Sequence, residues 1–241
     1  MNFLELAKII IVLCFLIYAC KLDLKSRIIP NKVWKFMLIF TIPITAFQVY
    51  ETALREQLLI IFAFIGAVFM ISFSYVLYRM NAYGGADAKA LMCLAVIFPF
   101  YPDLGAFPVI NSGFGIFSFS VLANSVIFAP FLMFGLLFRN LSREGPRGFI
   151  KNPLYYIAGY KIPVEKIGFH NLFEFVDEKG ELRKVRRAVE PNEEIIARLK
   201  KSGLQKVWAT PALPFIIFIT FGYITAVFLG DVLFLAISFI L

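Results

Sequence analysis

Residues 58–78 carry no charge, and at 1.5 Å of helical rise per residue that run covers about 31 Å, one hydrocarbon thickness. In lipid the backbone has to satisfy its own hydrogen bonds, which leaves a helix as the conformation for such a run. Apolar runs recur at 3–20, 33–49, 90–100, 114–138 and 208–229, and Pro130 is expected to kink the fifth of the six. A chain of 241 residues that is 60% hydrophobic, with 29 phenylalanines, is therefore read as an all-α polytopic membrane protein of about six spans. Residues 232–241 are too short to add a seventh. The first run is a retained span rather than a leader, because Glu5 and Lys8 stand at its start, the basic cluster follows it, and no small-x-small site ends it.

The composition changes over 139–206. Segments 173–176 and 182–185 alternate around Asp177-Glu178-Lys179-Gly180 as a β-hairpin would, and 193–201 has the pattern of a short amphipathic helix. This predicts a small α+β domain inserted before the last span, with membrane segments 1–138 and 207–241 on either side. If that insert, the connection at 21–32 and the turn at 83–89 share a membrane face, every Lys and Arg except Lys8 and Arg55 lies on it. The positive-inside tendency makes that face cytoplasmic, in a plasma membrane, with both termini outside. The net charge of +8 then belongs to cytoplasmic loops and anionic lipid rather than to nucleic acid. Cys14, Cys20 and Cys93 form no Cys-x-x-Cys pair and His170 is the sole histidine, a set that suits neither a disulfide framework nor a zinc site.

Two carboxylates stand out at the basic face. Asp23 lies in the connection at 21–32, which Pro30 interrupts, and Asp87 lies in Tyr83-Gly84-Gly85-Ala86-Asp87-Ala88-Lys89, where the glycines permit backbone angles other residues avoid and Asp87 falls at a helix N-cap. An ionisable group so close to hydrocarbon is a functional candidate. Two such groups facing one partly dehydrated site share a proton, so one can take a proton from water while the other polarises a carbonyl. Spacing alone leaves two plainer readings open: Asp87 as a cap only, and Asp23 as one charge in a Lys/Arg-rich loop. Lys89, two residues beyond Asp87, falls on an adjacent helix face. Asn111-Ser112-Gly113-Phe114-Gly115 is a weak serine-site pattern without a histidine in any span.

Gly84-Gly85-Ala86-Asp87-Ala88-Lys89 resembles the GxGD motif of intramembrane aspartyl proteases, with Ala86 in place of the second glycine. Asp23-Leu24-Lys25-Ser26-Arg27-Ile28-Ile29-Pro30-Asn31 resembles the first aspartate motif of type IV prepilin peptidases and archaeal preflagellin peptidases. The resemblance implies six spans with a soluble insert before the last, and it makes Asp23 and Asp87 the catalytic pair, with no metal or cofactor. Gly84, Gly85, Ala86 and Lys89 would support the site. Pro211-Ala212-Leu213 looks like the PAL motif of presenilin-type relatives; a proline-rich helix entry is the plainer reading. The expected substrates are class III signal-peptide precursors, prepilin or preflagellin, cut at the cytoplasmic face. Peptidase activity alone is expected, because nothing matches the Cys-rich domain of the larger bacterial enzymes. A proton-coupled transporter using the two aspartates as a relay is the alternative. Leaders of this class are basic, so Glu174, Asp177, Glu178 and Glu181 are candidates to receive them, with a solvated hairpin tip as the plainer alternative. Arg183, Lys184, Arg186 and Arg187 suit anionic headgroups.

Overall fold

The charge-free runs become helices, but their ends differ from the apolar boundaries. The computed structural model describes residues 3–80, 82–110, 115–211 and 214–238. In chain order they form α1 (Phe3–Ser26), α2 (Asn31–Arg55), α3 (Gln57–Arg79), α4 (Gly85–Ile97), α5 (Phe117–Glu144), α6 (Pro146–Lys151) and α7 (Pro153–Ala158). Then follow β1 (Tyr160–Pro163), β2 (His170–Val176), β3 (Leu182–Val189), α8 (Glu193–Lys201), β4 (Lys206–Pro211), α9 (Phe215–Phe228) and α10 (Val232–Ser238). Two compact units result, one made of Met1–Ala129 with Pro214–Leu241 and the other of Pro130–Leu213.

Among the described residues α1, α2, α3 and α5 are long and apolar enough to cross a membrane, and α9 with α10, bent by 69°, makes a fifth if the pair is one broken span. The chain is a mostly helical, multi-pass membrane protein with four or five candidate spans among its described residues, against the six apolar runs of the sequence. The difference lies in α4, whose 13 residues cover about 20 Å, short of a hydrocarbon core. Helix α5 continues through Pro130.

Helix α1 does not stop at Cys20. Nothing from Lys21 to Lys25 opposes a helix, so it runs on through Asp23 to Ser26. It ends where Arg27 adopts a left-handed backbone (φ 57°) and donates its N–H to the Asp23 carbonyl at 3.0 Å. That conformation costs a non-glycine residue roughly 1–2 kcal/mol. Pro30, in an extended conformation, then caps α2. Asp23 therefore stands on a helix and not in a polar connection.

Ile9, Val12, Leu16 and Ala19, at helical spacing on α1, pack with Leu91, Leu94 and Ile97 of α4 and with Ile216, Ile219 and Tyr223 of α9. Outward faces carry exposed Phe36, Phe40, Phe62 and Phe64, which suit a lipid surround. Helix α9 approaches α5 so closely that a Cβ at Gly222 would lie 2.8 Å from the Ser125 nitrogen and nearer still to the Val121 carbonyl. Small residues permit this kind of backbone contact between membrane helices.

The second unit is built on a four-stranded antiparallel sheet in the order β1-β4-β2-β3. The expected hairpin is β2 and β3, joined by a turn in which Gly180 has φ 82° and Asp177 accepts the N–H groups of Lys179 and Glu181. The expected amphipathic helix is α8, capped by the Asn192 side chain, with Leu199 buried against the sheet. The unit extends beyond 139–206 at both ends. Trp208 sits in β4 opposite Lys161 and packs on Tyr155 and Tyr156, rather than marking a bilayer entrance. His170 is fixed internally, donating from Nδ1 to the Ile167 carbonyl (2.7 Å) and accepting the Tyr160 hydroxyl at Nε2 (2.8 Å). Pro211 ends β4, whereas Ala212 and Leu213, like the serine pattern at 111–114, lie outside the described residues.

Candidate active site

Asp87 is the third residue of α4, not its cap. Gly84 caps the helix, and its N–H donates to Asp87 Oδ2 at 3.1 Å. Neither glycine of the turn uses a left-handed backbone: Gly84 is extended (φ −73°, ψ 160°) and Gly85 is helical. They are needed for room instead. A Cβ at Gly84 would press on Asp87 Oδ2 at 3.1 Å, and one at Gly85 on the Tyr78 ring at 3.3 Å. Ala86 packs against the core of the membrane unit.

Asp87 is only 6% exposed, and among the described residues no group of the protein donates to its Oδ1. A buried carboxylate oxygen without a donor is expensive, which makes this position a candidate functional site. Asp23, half-buried near the end of α1, lies close enough to act electrostatically on Asp87, and Arg27 acts on Asp23. The two aspartate segments are also tied directly, because Lys89 Nζ donates to Asn31 Oδ1 at 2.7 Å. Lys89 thus faces the start of α2 and not Asp87.

Sequence reasoning missed the third wall of this site. Cys20, one turn before Asp23, feels the charge of both aspartates, and its Sγ lies 3.1 Å from Thr220 Oγ1 on α9. Tyr83 stacks on Phe215 with ring centroids 5.8 Å apart and planes within 4°. Tyr83 could have been flagged by its place beside Gly84. Cys20 and Thr220 are 200 residues apart and carry no joint signal.

The acidic hairpin residues divide. Glu174 is 7% exposed, accepts the Trp208 N–H at 3.1 Å and pairs with Lys184 at 3.0 Å. Asp177 is held below the usual carboxylate range by its hydrogen bond from Arg183 and by the turn N–H groups. Both serve the hairpin itself. Glu178 and Glu181 remain exposed. Among the described residues no three His, Cys, Asp or Glu side chains converge as a metal site would require. A cavity of about 540 Å³ lies at the far end of the membrane unit, lined by Glu5, Lys8, Gln48 and Arg55 among others, and not at the aspartates.

The family model described as the type IV leader peptidase family matches residues 10–133, slightly more than half of the chain. The chain belongs to the type IV leader peptidase family. The C-terminal model for archaeal A24 peptidases of type II matches residues 151–232. A preflagellin peptidase of Methanococcus voltae is 29% identical over 217 residues, covering 87% of this chain and 89% of the relative. One from Methanococcus maripaludis is 27% identical over 222 residues, covering 90% and 92%. The prepilin peptidase EppA of Methanothermobacter thermautotrophicus is 26% identical over 146 residues, covering 56% of this chain and 36% of that protein. As a leader peptidase by family, the chain carries both motif aspartates inside the first match.

Proposed function

We propose that this leader peptidase is an intramembrane aspartic endopeptidase that removes the short basic leader of prepilin-like or preflagellin precursors, using Asp23 and Asp87. The observation that carries the reading is the Asp87 carboxylate: buried, capped on one oxygen and without a donor on the other, with Asp23 of a different helix among the charges that act on it. The names of the relatives support leader processing and give a transporter no support.

Such a pair holds one proton between two carboxylates. The ionised member takes a proton from water as the water oxygen attacks the scissile carbonyl, and the protonated member gives its proton to the carbonyl oxygen. The resulting tetrahedral diol collapses as the carboxyl that took the water proton gives it to the leaving amine and the other carboxylate takes a proton from a diol hydroxyl, which leaves the pair again with one proton. No metal or cofactor is required by this chemistry, and Gly84, Gly85, Ala86 and Lys89 would keep the carboxylates in register. Pro211-Ala212-Leu213 is kept as a supporting motif on its resemblance alone.

The basic face is proposed to be cytoplasmic, with the inserted unit on that side and near anionic lipid. Of the acidic hairpin residues, Glu178 and Glu181 are the ones exposed to receive a basic leader. The deciding experiment incubates purified protein with a candidate precursor in detergent. Precursor shortening by the wild type, lost in Asp23→Asn and Asp87→Asn and indifferent to chelators, is the expected result. Turnover near normal in either variant overturns the mechanism. For orientation, a cysteine at Ser202 should resist impermeant thiol reagents in intact cells, and labelling from outside inverts the topology.

A further inference from the structure

The two aspartates stand on α1 and α4, and both helices pack against α9, which carries no acid. It is braced to each of them by a different contact. On the α1 side, Thr220, only 8% exposed, donates its hydroxyl to the Ile216 carbonyl at 2.8 Å. With that proton committed, Thr220 Oγ1 accepts from the Cys20 thiol, whose sulfur is also 3.6 Å from the same carbonyl. Cys20 and Asp23 are three residues apart on one helix and so share a face. On the α4 side, Tyr83 stacks on Phe215 and anchors its hydroxyl to the Ser74 carbonyl at 3.1 Å. Tyr83 is the residue before the Gly84 cap that holds Asp87.

Resting on the carboxylate reading above, we infer that α9 is the third member of the active site, with Thr220 and Phe215 as positioning residues that set Asp23 against Asp87. The donorless Asp87 Oδ1 faces a cost that only correct alignment with the second carboxylate and the substrate turns to use. Neither positioning side chain needs to touch the reacting atoms. The thiol-to-hydroxyl contact fixes the turn of α1 that bears Asp23, and the ring stack fixes the entry to α4. A displacement of about 1 Å between reacting groups is enough to cost on the order of a hundredfold in rate.

The experiment compares Thr220→Val, Thr220→Ser, Phe215→Leu, Asp23→Asn and Asp87→Asn in precursor cleavage, with thermal midpoints measured alongside. Thr220→Val keeps the shape but removes the acceptor for the thiol, and should lower kcat about tenfold with KM within about twofold. Thr220→Ser should restore most of that loss. Phe215→Leu keeps apolar bulk without the stacked ring and should also lower kcat and leave KM. Wild-type kcat in both Thr220→Val and Phe215→Leu, with Asp87→Asn inactive, overturns the role of α9 alone. Failure of Thr220→Ser to restore kcat overturns the hydroxyl contact as its cause. Normal cleavage by Asp87→Asn overturns the carboxylate reading and this inference with it.

Discussion

The membrane unit buries charge at both ends of α1, and the two ends treat it in opposite ways. Near the start, Lys8 (2% exposed) donates to Gln48, pairs with Glu5 at 3.4 Å and lies 4.6 Å from the Phe98 ring centre, while Gln48 donates in turn to Glu5. Near the other end, Asp87 has a capping N–H on one oxygen, no donor on the second, and another carboxylate for a neighbour. The first arrangement is closed: every charge has an opposite charge, an amide or a ring. The second is open, and in a buried setting an open polar group is a defect unless the function uses it. The contrast sets a buried charge whose partners are all supplied by the fold against one that the proposed mechanism would use.

Neutralising the open end should have the largest effect. Asp87→Asn and Asp23→Asn are each expected to lower precursor cleavage by at least about a hundredfold, with thermal midpoints near that of the wild type. A large fall in midpoint with proportionate loss of activity would make Asp87 structural and erase the contrast. Breaking the closed end should do the reverse. Lys8→Met leaves Glu5 buried with its charge uncompensated and should destabilise by roughly 3–5 kcal/mol, read in a denaturation series, while the folded fraction keeps its kcat. Pairing it with Glu5→Gln should recover much of that loss. A kcat defect in Lys8→Met at full stability would tie the two ends together.

The membrane class was legible because a charge-free run such as 58–78 has few alternatives, and α3 follows it to within one residue at each end. Helix α8 and the β2–β3 hairpin were legible for a local reason too: an Asn cap and an Asp-to-Gly turn are written in adjacent residues. What was not legible depended on partners distant in the chain. Glu174 reads as one of several hairpin acids, yet pairing with β4 buries it under Trp208. Strand β4 itself hid in the approach to an apolar run. At the site, the aspartates could be named from their motifs, but the reason for Gly84 could not: spacing suggested a special backbone angle, and the structure shows a shortage of room beside Asp87.

Smaller perturbations sharpen the comparison. Gly222→Ala should destabilise the α5–α9 contact by about 1–3 kcal/mol, because backbone rather than a flexible side chain blocks the new Cβ. Gly84→Ala introduces no backbone strain but crowds Asp87 Oδ2, so kcat should fall a few-fold with the thermal midpoint unchanged; equal loss of both would return the glycine to a purely structural role. The smallest effect is expected from Glu178→Gln with Glu181→Gln, which should weaken cleavage of basic leaders by less than about tenfold and flatten its salt dependence. Kinetics unchanged across a salt series would leave the hairpin tip as solvated surface.

The interruption of the membrane unit by Pro130–Leu213 has a consequence in time as well as in space. Helices α1 and α4, with their aspartates, leave the ribosome first, and α9 follows only after the whole inserted unit has been made. At ordinary translation speeds that interval is on the order of ten seconds. If α9 aligns the pair, a nascent chain carries both acids through the bilayer without being able to cut anything, and competence arrives with the last helices. The order of synthesis then acts as a safety catch on the peptidase.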